Sequence, residues 1–240
     1  MTTTLITGAN KGLGFETARR LVEADHTVWV GARDPERGRQ AAERIGARFV
    51  QLDVTDDASV EAAVKTVEAE GGLDVLVNNA GIEPRGEGNA IPEGEDTTVE
   101  EMRTAFETNV FGVVRVTHAF LPLLRRSPAP VVVNVSSGLA SLTRLSDPES
   151  FAHFYPTIAY PTIAYPASKA AVNMITVQYA KTLPDFRVNA VEPGFTKTDL
   201  NGNTGTQSVE EGAEIIVRMA TVGPDGPTGT FSDRSGPLPW

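Results

Sequence analysis

Two residues four positions apart, Tyr165 and Lys169, are the first candidates for chemistry in this sequence. Residues at i and i+4 lie on one face of a helix, so the Lys169 ammonium would lie beside the Tyr165 phenol. A free phenol, with a pKa of about 10, is a poor acid at neutral pH, and a neighbouring cation lowers that pKa. The pair could therefore donate a proton, although the same spacing also occurs on solvent-exposed helices without such a role.

A tandem repeat precedes this pair and offers two competing tyrosines. Residues 155–159 and 160–164 have the same sequence, Tyr-Pro-Thr-Ile-Ala, and a third Tyr-Pro follows at position 165. The residue four positions after Tyr155 and after Tyr160 is an alanine, so neither phenol would have an ammonium within reach. Tyr165 is the predicted proton donor.

A glycine-rich turn near the start of the chain could hold a phosphate group. Gly8, Gly12 and Gly14 follow the β-like run Thr3–Thr7 directly and open a helical pattern. Glycines there permit a tight turn and a close backbone approach, so the free N–H groups of the helix start can face a pyrophosphate. A turn that joins strand to helix without any ligand is the alternative.

Arg33 stands at the end of the second predicted strand, where a site selective for NAD would carry an acid that holds the ribose 2′-hydroxyl. Its guanidinium suits a 2′-phosphate instead, and Lys11 in the glycine turn adds a second positive charge. NADP(H) is therefore the predicted cofactor. Asp34 leaves room for NAD, and a surface ion pair between Arg33 and Asp34 is the alternative without a ligand.

Short β-branched runs alternate with helical patterns, and the runs are continuously apolar, as in strands that helices cover on both faces. We expect an α/β fold, a doubly wound parallel sheet of the Rossmann type, in a single domain spanning residues 1–240. The predicted strands are Thr3–Thr7, Thr27–Gly31, Arg48–Asp53, Val75–Asn78, Val131–Val135 and Arg187–Val191.

Two further polar residues occupy positions that call for an explanation. Ser137 is the second of two serines after the fifth predicted strand, at the edge where ligands of open α/β sheets bind. Ser136 and Ser137 could equally cap a loop. Asn109 falls within a predicted helix from about Thr98 to Leu124, where asparagine is unfavourable and needs another reason to be present.

Composition excludes several classes of function. The net charge of −10 and the scattered basic residues argue against nucleic acid as a partner. The chain has no cysteine and three isolated histidines, so we expect neither disulfides nor a metal site. No basic-then-apolar signal segment and no apolar run of membrane-spanning length are present, so we expect a cytoplasmic protein without a membrane partner.

The motifs follow one another in the order found in short-chain dehydrogenases/reductases, and the sequence resembles that family along nearly its whole length. The resemblance is strongest to the monomeric, NADPH-dependent carbonyl reductases. It rests on the glycine turn, Asp53-Val54, Asn78-Asn79-Ala80-Gly81, Asn109, Ser137, Tyr165 with Lys169, and Pro193-Gly194, and for the subgroup on Gly31–Asp34, Asn189–Phe195, Thr198-Asp199, Glu210–Glu214 and Pro239-Trp240.

The resemblance implies reduction of a ketone or aldehyde by NADPH. Tyr165 would protonate the carbonyl oxygen, Ser137 would polarise it, Lys169 would also hold the nicotinamide ribose, and Asn109 would support a water-linked proton relay. The residues implied to bind the cofactor are Gly8, Asn10, Lys11, Gly12, Leu13, Gly14, Arg33, Asp53, Val54, Asn79, Ala80, Gly81, Tyr165, Lys169, Pro193, Gly194, Thr196 and Thr198.

The substrate side is expected to be apolar. Ser137, Leu139, Tyr165 and Phe195 are the predicted substrate residues, with Trp240 as a further apolar candidate, and they favour a hydrophobic carbonyl compound. An NAD-linked alcohol dehydrogenase remains an alternative. A dinucleotide-sensing protein without catalysis is another, because a fold does not determine a function.

The segment between the catalytic serine and tyrosine is long for the family. Ser137 and Tyr165 are separated by about twice the usual distance in sequence, which indicates an insertion at about 139–164. Prolines at 148, 156 and 161, with another just after the insertion at 166, forbid one continuous helix. We expect the insertion to shape substrate choice and to hinder tetramer formation, which leaves a monomer or homodimer. A tolerated surface expansion is the alternative.

Overall fold

The computed structural model describes residues 2–86, 90–147, 149 and 162–240. In these ranges the strands form one sheet in the order β3-β2-β1-β4-β5-β6-β7-β8. All neighbouring strands pair in parallel except β7 and β8, which are antiparallel. The strands are β1 Thr3–Thr7, β2 Thr27–Ala32, β3 Arg48–Gln51, β4 Val75–Asn78, β5 Val131–Val135, β6 Arg187–Val191, β7 Phe231–Asp233 and β8 Gly236–Pro237.

Helices cover both faces of the sheet. Helices α1, α2 and α8 pack on one face, and α3, α5 and the end of α7 pack on the other. The described helices are α1 Gly12–Glu23, α2 Pro35–Ile45, α3 Asp57–Ala69, α4 Val99–Phe106, α5 Gly112–Leu124, α6 Leu142–Ser146, α7 Ala164–Thr182 and α8 Val209–Ala220. Each of these helices is too short or too polar to cross a membrane.

The two cores explain why the strands are apolar without alternation. In β1, Leu5 packs in the core beneath α3 and α5, whereas the next residue, Ile6, packs in the core beneath α1 and α8. Both side chains are completely buried. Since successive strand residues point to opposite faces, a strand that is covered on both sides must be apolar at every position. The prediction of a doubly wound parallel sheet is confirmed.

The turn after β2 shows how local sequence sets the geometry of the sheet edge. The Asp34 carboxylate accepts hydrogen bonds from the N–H groups of Glu36 and Arg37, both at 3.0 Å, and caps α2. Pro35 provides the first helical residue, where its missing N–H is not needed. Asp34 also forms a salt bridge with Arg37 at 3.7 Å. Asp34 therefore pairs with Arg37 and caps α2, and it does not form the surface ion pair with Arg33 that was predicted as the alternative.

The structure differs from the sequence prediction in several places, and β2 ends one residue later than predicted, at Ala32. Strands β7 and β8 were not predicted, because they contain only three and two residues and the second consists of glycine and proline. The predicted helix from Thr98 to Leu124 is interrupted by a π-helical turn at Glu107–Phe111. β3 ends two residues earlier than predicted. Half of the expected insertion, including Tyr155 and Tyr160, lies outside the described residues.

Candidate active site

A cleft of about 750 Å³ lies at the carboxyl ends of the parallel strands. Its walls come from the turns that follow the six strands β1 to β6, and from the first turns of α7. The structure describes all of the predicted site residues, and all of them line this cleft except Asn109 and the further apolar candidate Trp240. Separate strands therefore bring distant parts of the sequence together at one edge, as expected for an open α/β sheet.

Tyr165 and Lys169 face each other at one end of the cleft. Both belong to the first turns of α7, and the Lys169 Nζ lies 5.6 Å from the centre of the Tyr165 ring. Lys169 is only 4% exposed, and its Nζ donates a hydrogen bond to the Val135 carbonyl oxygen at 2.8 Å. Burial lowers the pKa of Lys169 from 10.5 to about 8. The predicted proximity of the two groups is thus present.

Asn109 sits behind this pair, in the π-helical turn. Its Oδ1 accepts from the Ile82 N–H at 2.8 Å, and its Nδ2 donates to the Ile82 carbonyl oxygen and to Ser168 Oγ, each at 2.9 Å. A Cβ at Gly81 would lie 3.3 Å from Asn109 Oδ1 and 3.4 Å from Lys169 Nζ. The buried side chain of Asn109 therefore fixes the turn after β4 beside the lysine. Its predicted part in a proton relay stays a prediction.

The two adjacent serines have different surroundings. Ser136 is 2% exposed, and its Oγ donates to Asn173 Oδ1 at 2.7 Å, so its hydroxyl forms its hydrogen bond inside the protein and not in the cleft. Ser137 is partly exposed at the cleft wall, and its Oγ accepts from the Leu139 N–H at 3.2 Å. A hydroxyl in this position still has its proton to donate to a ligand in the cleft. The geometry favours Ser137 over Ser136 as the residue that meets a substrate.

The glycine turn after β1 packs tightly against the turn after β4. Gly8 has φ +64°, and a Cβ there would lie 2.9 Å from Ala80 Cα. A Cβ at Gly14 would lie 2.5 Å from Asn79 Nδ2, which donates to the Thr7 carbonyl oxygen at 2.8 Å. No side chain caps the start of α1. The first N–H groups of α1 therefore lack a side-chain acceptor at the cleft wall, which fits the phosphate groups of a dinucleotide.

Charged residues surround the cleft near the turn after β2. Arg33 is exposed at the cleft wall, and Lys11 lines the same region. Lys11 Nζ forms an ion pair with Asp199 Oδ2 at 2.7 Å, with both side chains more than half exposed. This hydrogen-bonded lysine lowers the pKa of Asp199, and Arg37 adds to that effect. The basic groups expected around a 2′-phosphate are present, together with an acid that the sequence analysis assigned no role.

The structure also reveals cleft residues that were not predicted. Glu83 and Arg85 form an ion pair in the turn after β4, and Glu192 lines the cleft directly after β6. Their acidic and basic side chains carried no spacing signal, apart from the position of Glu192 at a strand end. Trp240 does not line the cleft, and its ring stacks on Phe231 with centroids 5.7 Å apart. The part of the chain that is described contains no cluster of His, Asp and Glu suited to a metal ion.

Comparison with known proteins identifies the family. A family model described as short chain dehydrogenase matches residues 2–147 and 149–209. The short-chain dehydrogenase anuI of Penicillium roqueforti (strain FM164) is 40% identical over 231 residues, which cover 91% of this chain and 88% of that protein.

Two solved structures share the fold along nearly their whole length. Salutaridine reductase from Papaver somniferum superposes with a TM-score of 0.83 at 30% identity, covering 96% of this chain and 99% of that chain. The NADPH-bound carbonyl reductase from chicken fatty liver superposes with a TM-score of 0.84 at 26% identity, covering 100% and 99%. The matches extend over the sheet, the glycine turn and the tyrosine–lysine pair, and this chain is therefore an oxidoreductase of the short-chain dehydrogenase family.

Proposed function

We propose that this protein reduces a ketone or aldehyde to an alcohol with NADPH, and that Tyr165 is the general acid. The observation that carries the proposal is the meeting of Ser137, Tyr165 and Lys169 in one cleft with the glycine turn and Arg33. The names of the similar proteins, salutaridine reductase and carbonyl reductase, support reduction of a carbonyl group.

The proposed reaction uses three side chains at the substrate end of the cleft. The Ser137 hydroxyl donates a hydrogen bond to the carbonyl oxygen, keeps its proton, and stabilises the negative charge that develops on that oxygen. Tyr165 transfers its phenolic proton to the same oxygen. The buried Lys169 ammonium, 5.6 Å from the tyrosine ring centre, stabilises the phenolate that remains. Asn109 keeps the Ile82 turn in place beside this lysine.

The cofactor residues divide the cleft into two ends. The glycine turn and the start of α1 would hold the pyrophosphate, and Arg33 and Lys11 would hold the 2′-phosphate of the adenosine ribose. Asp53 and Val54 would border the adenine, Asn79–Gly81 would support the middle of the cofactor, and 193–198 would border the nicotinamide. When bound, NADPH supplies a hydride to the carbonyl carbon.

The substrate end of the cleft is of mixed character. Leu139 and Phe195 contribute apolar surface, whereas the ion pair of Glu83 and Arg85 adds charged groups to the wall. A hydrophobic carbonyl compound that also carries a polar group fits this lining better than a wholly apolar ketone does.

A panel of ketones and aldehydes assayed with NADPH and with NADH tests the proposal. We expect consumption of NADPH with at least one carbonyl compound and a clear preference for NADPH over NADH. Faster oxidation of alcohols with NAD would instead support an NAD-linked alcohol dehydrogenase. Binding of either dinucleotide with no turnover on any panel member would support a dinucleotide-sensing role.

A further inference from the structure

Glu192 is a cleft carboxylate to which the proposed reaction assigns no part. It follows the last residue of β6, and its own N–H donates to the Ser232 carbonyl oxygen at 2.8 Å. On the other side, the Ser136 N–H donates to the Val191 carbonyl oxygen, also at 2.8 Å. The backbone therefore fixes Glu192 between the strand that ends beside Ser137 and the short strand β7.

The Glu192 carboxylate accepts hydrogen bonds from two different turns. Its Oε1 accepts from the Gly194 N–H at 3.0 Å, and the backbone of Gly138 is its second partner. Burial raises the pKa of Glu192 and nearby Asp233 adds to this rise, while these N–H groups and Arg144 oppose it. A carboxylate in such surroundings pays a desolvation cost, and groups of this kind concentrate at functional sites.

The two turns that Glu192 joins follow the neighbouring strands β5 and β6, and both line the cleft. The first is 137–139, in which the Leu139 N–H donates to Ser137 Oγ at 3.2 Å and so orients the serine hydroxyl. The second contains Pro193 and Gly194, whose φ of +78° is left-handed. In that second turn the Thr196 hydroxyl donates to the Pro193 carbonyl oxygen at 3.1 Å. One turn faces the proposed substrate and the other borders the proposed nicotinamide site.

We propose that Glu192 is a positioning residue, whose carboxylate spans the turn at 137–139 and the turn at Pro193–Gly194 and fixes the spacing between them. This inference rests on the proposed function for its kinetic consequence. Hydride and proton transfer both need reacting atoms within a few tenths of an ångström of their productive positions. A group that ties the substrate wall to the cofactor wall would supply that precision without touching either ligand.

Amide hydrogen exchange tests whether the Glu192 carboxylate holds both turns, and it needs neither cofactor nor ketone. In Glu192→Ala we expect the Gly138 and Gly194 N–H groups to exchange at least about 10-fold faster, because both lose their acceptor. Glu68→Gln is the matched control, since Glu68 is exposed on α3, pairs with Arg126 at the surface and does not line the cleft. Unchanged exchange at both glycines in Glu192→Ala would overturn the proposal whether or not the protein is a reductase.

Three substitutions distinguish the effect of the length of the Glu192 side chain on kcat from the effect of its charge. Glu192→Gln keeps the length and one acceptor oxygen, so kcat should fall only about 5- to 10-fold. Glu192→Asp keeps the charge but is one methylene shorter, so it cannot reach both turns, and kcat should fall about 100-fold, as in Glu192→Ala. The Kd for NADPH, read by its fluorescence, should change less than about 3-fold in all three, because phosphate contacts dominate it.

The order of these variants decides the outcome. A nearly active Glu192→Asp beside an inactive Glu192→Gln would show that charge matters and span does not, and would overturn the proposal. Equal activity in all variants would do the same. If Glu192→Ala does not fold, the Gln and Asp variants still give this comparison. Absence of ketone reduction in the unmutated protein would count against the proposed function, while the exchange result would stand alone.

A double-mutant cycle shows whether Glu192 acts through Ser137. We expect Glu192→Ala to cost about 100-fold in kcat in the native background but less than about 5-fold in Ser137→Ala, because the hydroxyl that it orients is already missing. The same cost in both backgrounds would show that Glu192 does not position Ser137.

Discussion

Tyr165 and Lys169 lie one helical turn apart, yet their surroundings differ. Tyr165 is partly exposed at the cleft, where it can meet a substrate, whereas Lys169 is almost completely buried and anchored to the Val135 carbonyl. A positive charge in a place of low dielectric acts strongly on its neighbour. Burial therefore gives Lys169 both its proposed effect on the tyrosine and its lowered pKa of about 8.

Tyr165→Phe removes only the phenolic hydroxyl and leaves the ring in place. We expect kcat for ketone reduction to fall at least about 10³-fold, while the Kd for NADPH stays within about 3-fold, because general acid catalysis is lost and the cofactor contacts remain. Tyr160→Phe is the matched control and should stay active. An inactive Tyr160→Phe beside an active Tyr165→Phe would show that the proton donor is misassigned.

The lowered pKa of Lys169 predicts opposite effects of pH on activity and on stability. As pH rises through about 8 the buried ammonium loses its proton, so kcat for reduction should fall. Between about 8 and 10.5 the unfolded chain binds more protons at this residue than the folded chain does. The free energy of unfolding should therefore rise with pH across this range, by on the order of 3 kcal/mol from this group.

Lys169→Met isolates this contribution, because every other titrating group remains. Urea unfolding at several pH values between 8 and 10.5 should show a flatter rise in Lys169→Met than in the native protein. Identical slopes in the two proteins would mean that the pKa of Lys169 is not lowered by burial.

The sequence predicted these residues because each one carries a local signal. The four-residue spacing singles out Lys169, and Ser137 follows an apolar strand whose end must reach the ligand edge. Glu192 follows a strand in the same way, but one of its partners, the backbone of Gly138, belongs to a turn that is distant in sequence, and a single sequence does not show which turns will meet. Its role could be seen only after the strands were assembled.

Secondary structure was predictable where burial dictates it. The six apolar strands had to be covered on both faces, and their positions follow from that requirement. The short strands β7 and β8 pair only at the sheet margin and carry too few residues for a pattern. The sequence gives no signal for the π-helical turn at Glu107–Phe111 either, except that it contains Asn109, a residue that is unfavourable in a helix.

Cofactor preference depends on the turns after β1 and β2 together. We expect NADPH to bind more tightly than NADH, and Arg33→Ala to reduce that preference about 10- to 100-fold, since a charge-assisted phosphate contact is worth about 1.5–3 kcal/mol. Lys11→Ala should act in the same direction but more weakly. Fluorescence titration with both cofactors measures the effect, and equal affinities in the native protein would contradict it.

The ion pair between Lys11 and Asp199 places an acid in competition with that phosphate. Asp199→Asn should release Lys11 and tighten NADPH binding about 2- to 5-fold, because an exposed ion pair is worth up to about 1 kcal/mol. NADH carries no 2′-phosphate, so its Kd should not change. In a protein that already carries Lys11→Ala, Asp199→Asn should leave the Kd for NADPH unchanged. Equal gains for both cofactors would show that Asp199 acts on the cleft as a whole.

At the scale of the whole molecule, the long segment between β5 and α7 is held at both of its ends beside the cleft. The turn after β5 leads into α6, where the Thr143 N–H and hydroxyl both donate to the Trp240 carbonyl oxygen, at 3.0 and 2.8 Å. The Trp240 ring in turn stacks on Phe231 of β7. Trp240, which was predicted as a pocket residue, thus holds the start of the long segment before Tyr165.

The far end of that segment is anchored by α7, whose second residue is Tyr165. Ala164 and Thr162 are buried just before it. A segment held at both ends beside the cleft should influence which substrates enter and which faces of α7 another subunit can reach. We therefore expect the native protein to be a monomer or dimer, with a substrate preference that depends on the length of this segment.

Deletion of one repeat, Tyr160–Ala164, changes this length with little other change, because residues 155–159 have the same sequence and leave Thr-Ile-Ala before Tyr165. The start of α7 should therefore form as before, and the active site should remain competent. We expect altered ratios of kcat/KM across a ketone panel and a solution mass, by light scattering, that shifts toward tetramer. Lengthening a surface loop costs little entropy, so a segment without a role would also tolerate the deletion. An unchanged preference together with an unchanged mass would show that the segment neither selects substrate nor limits assembly.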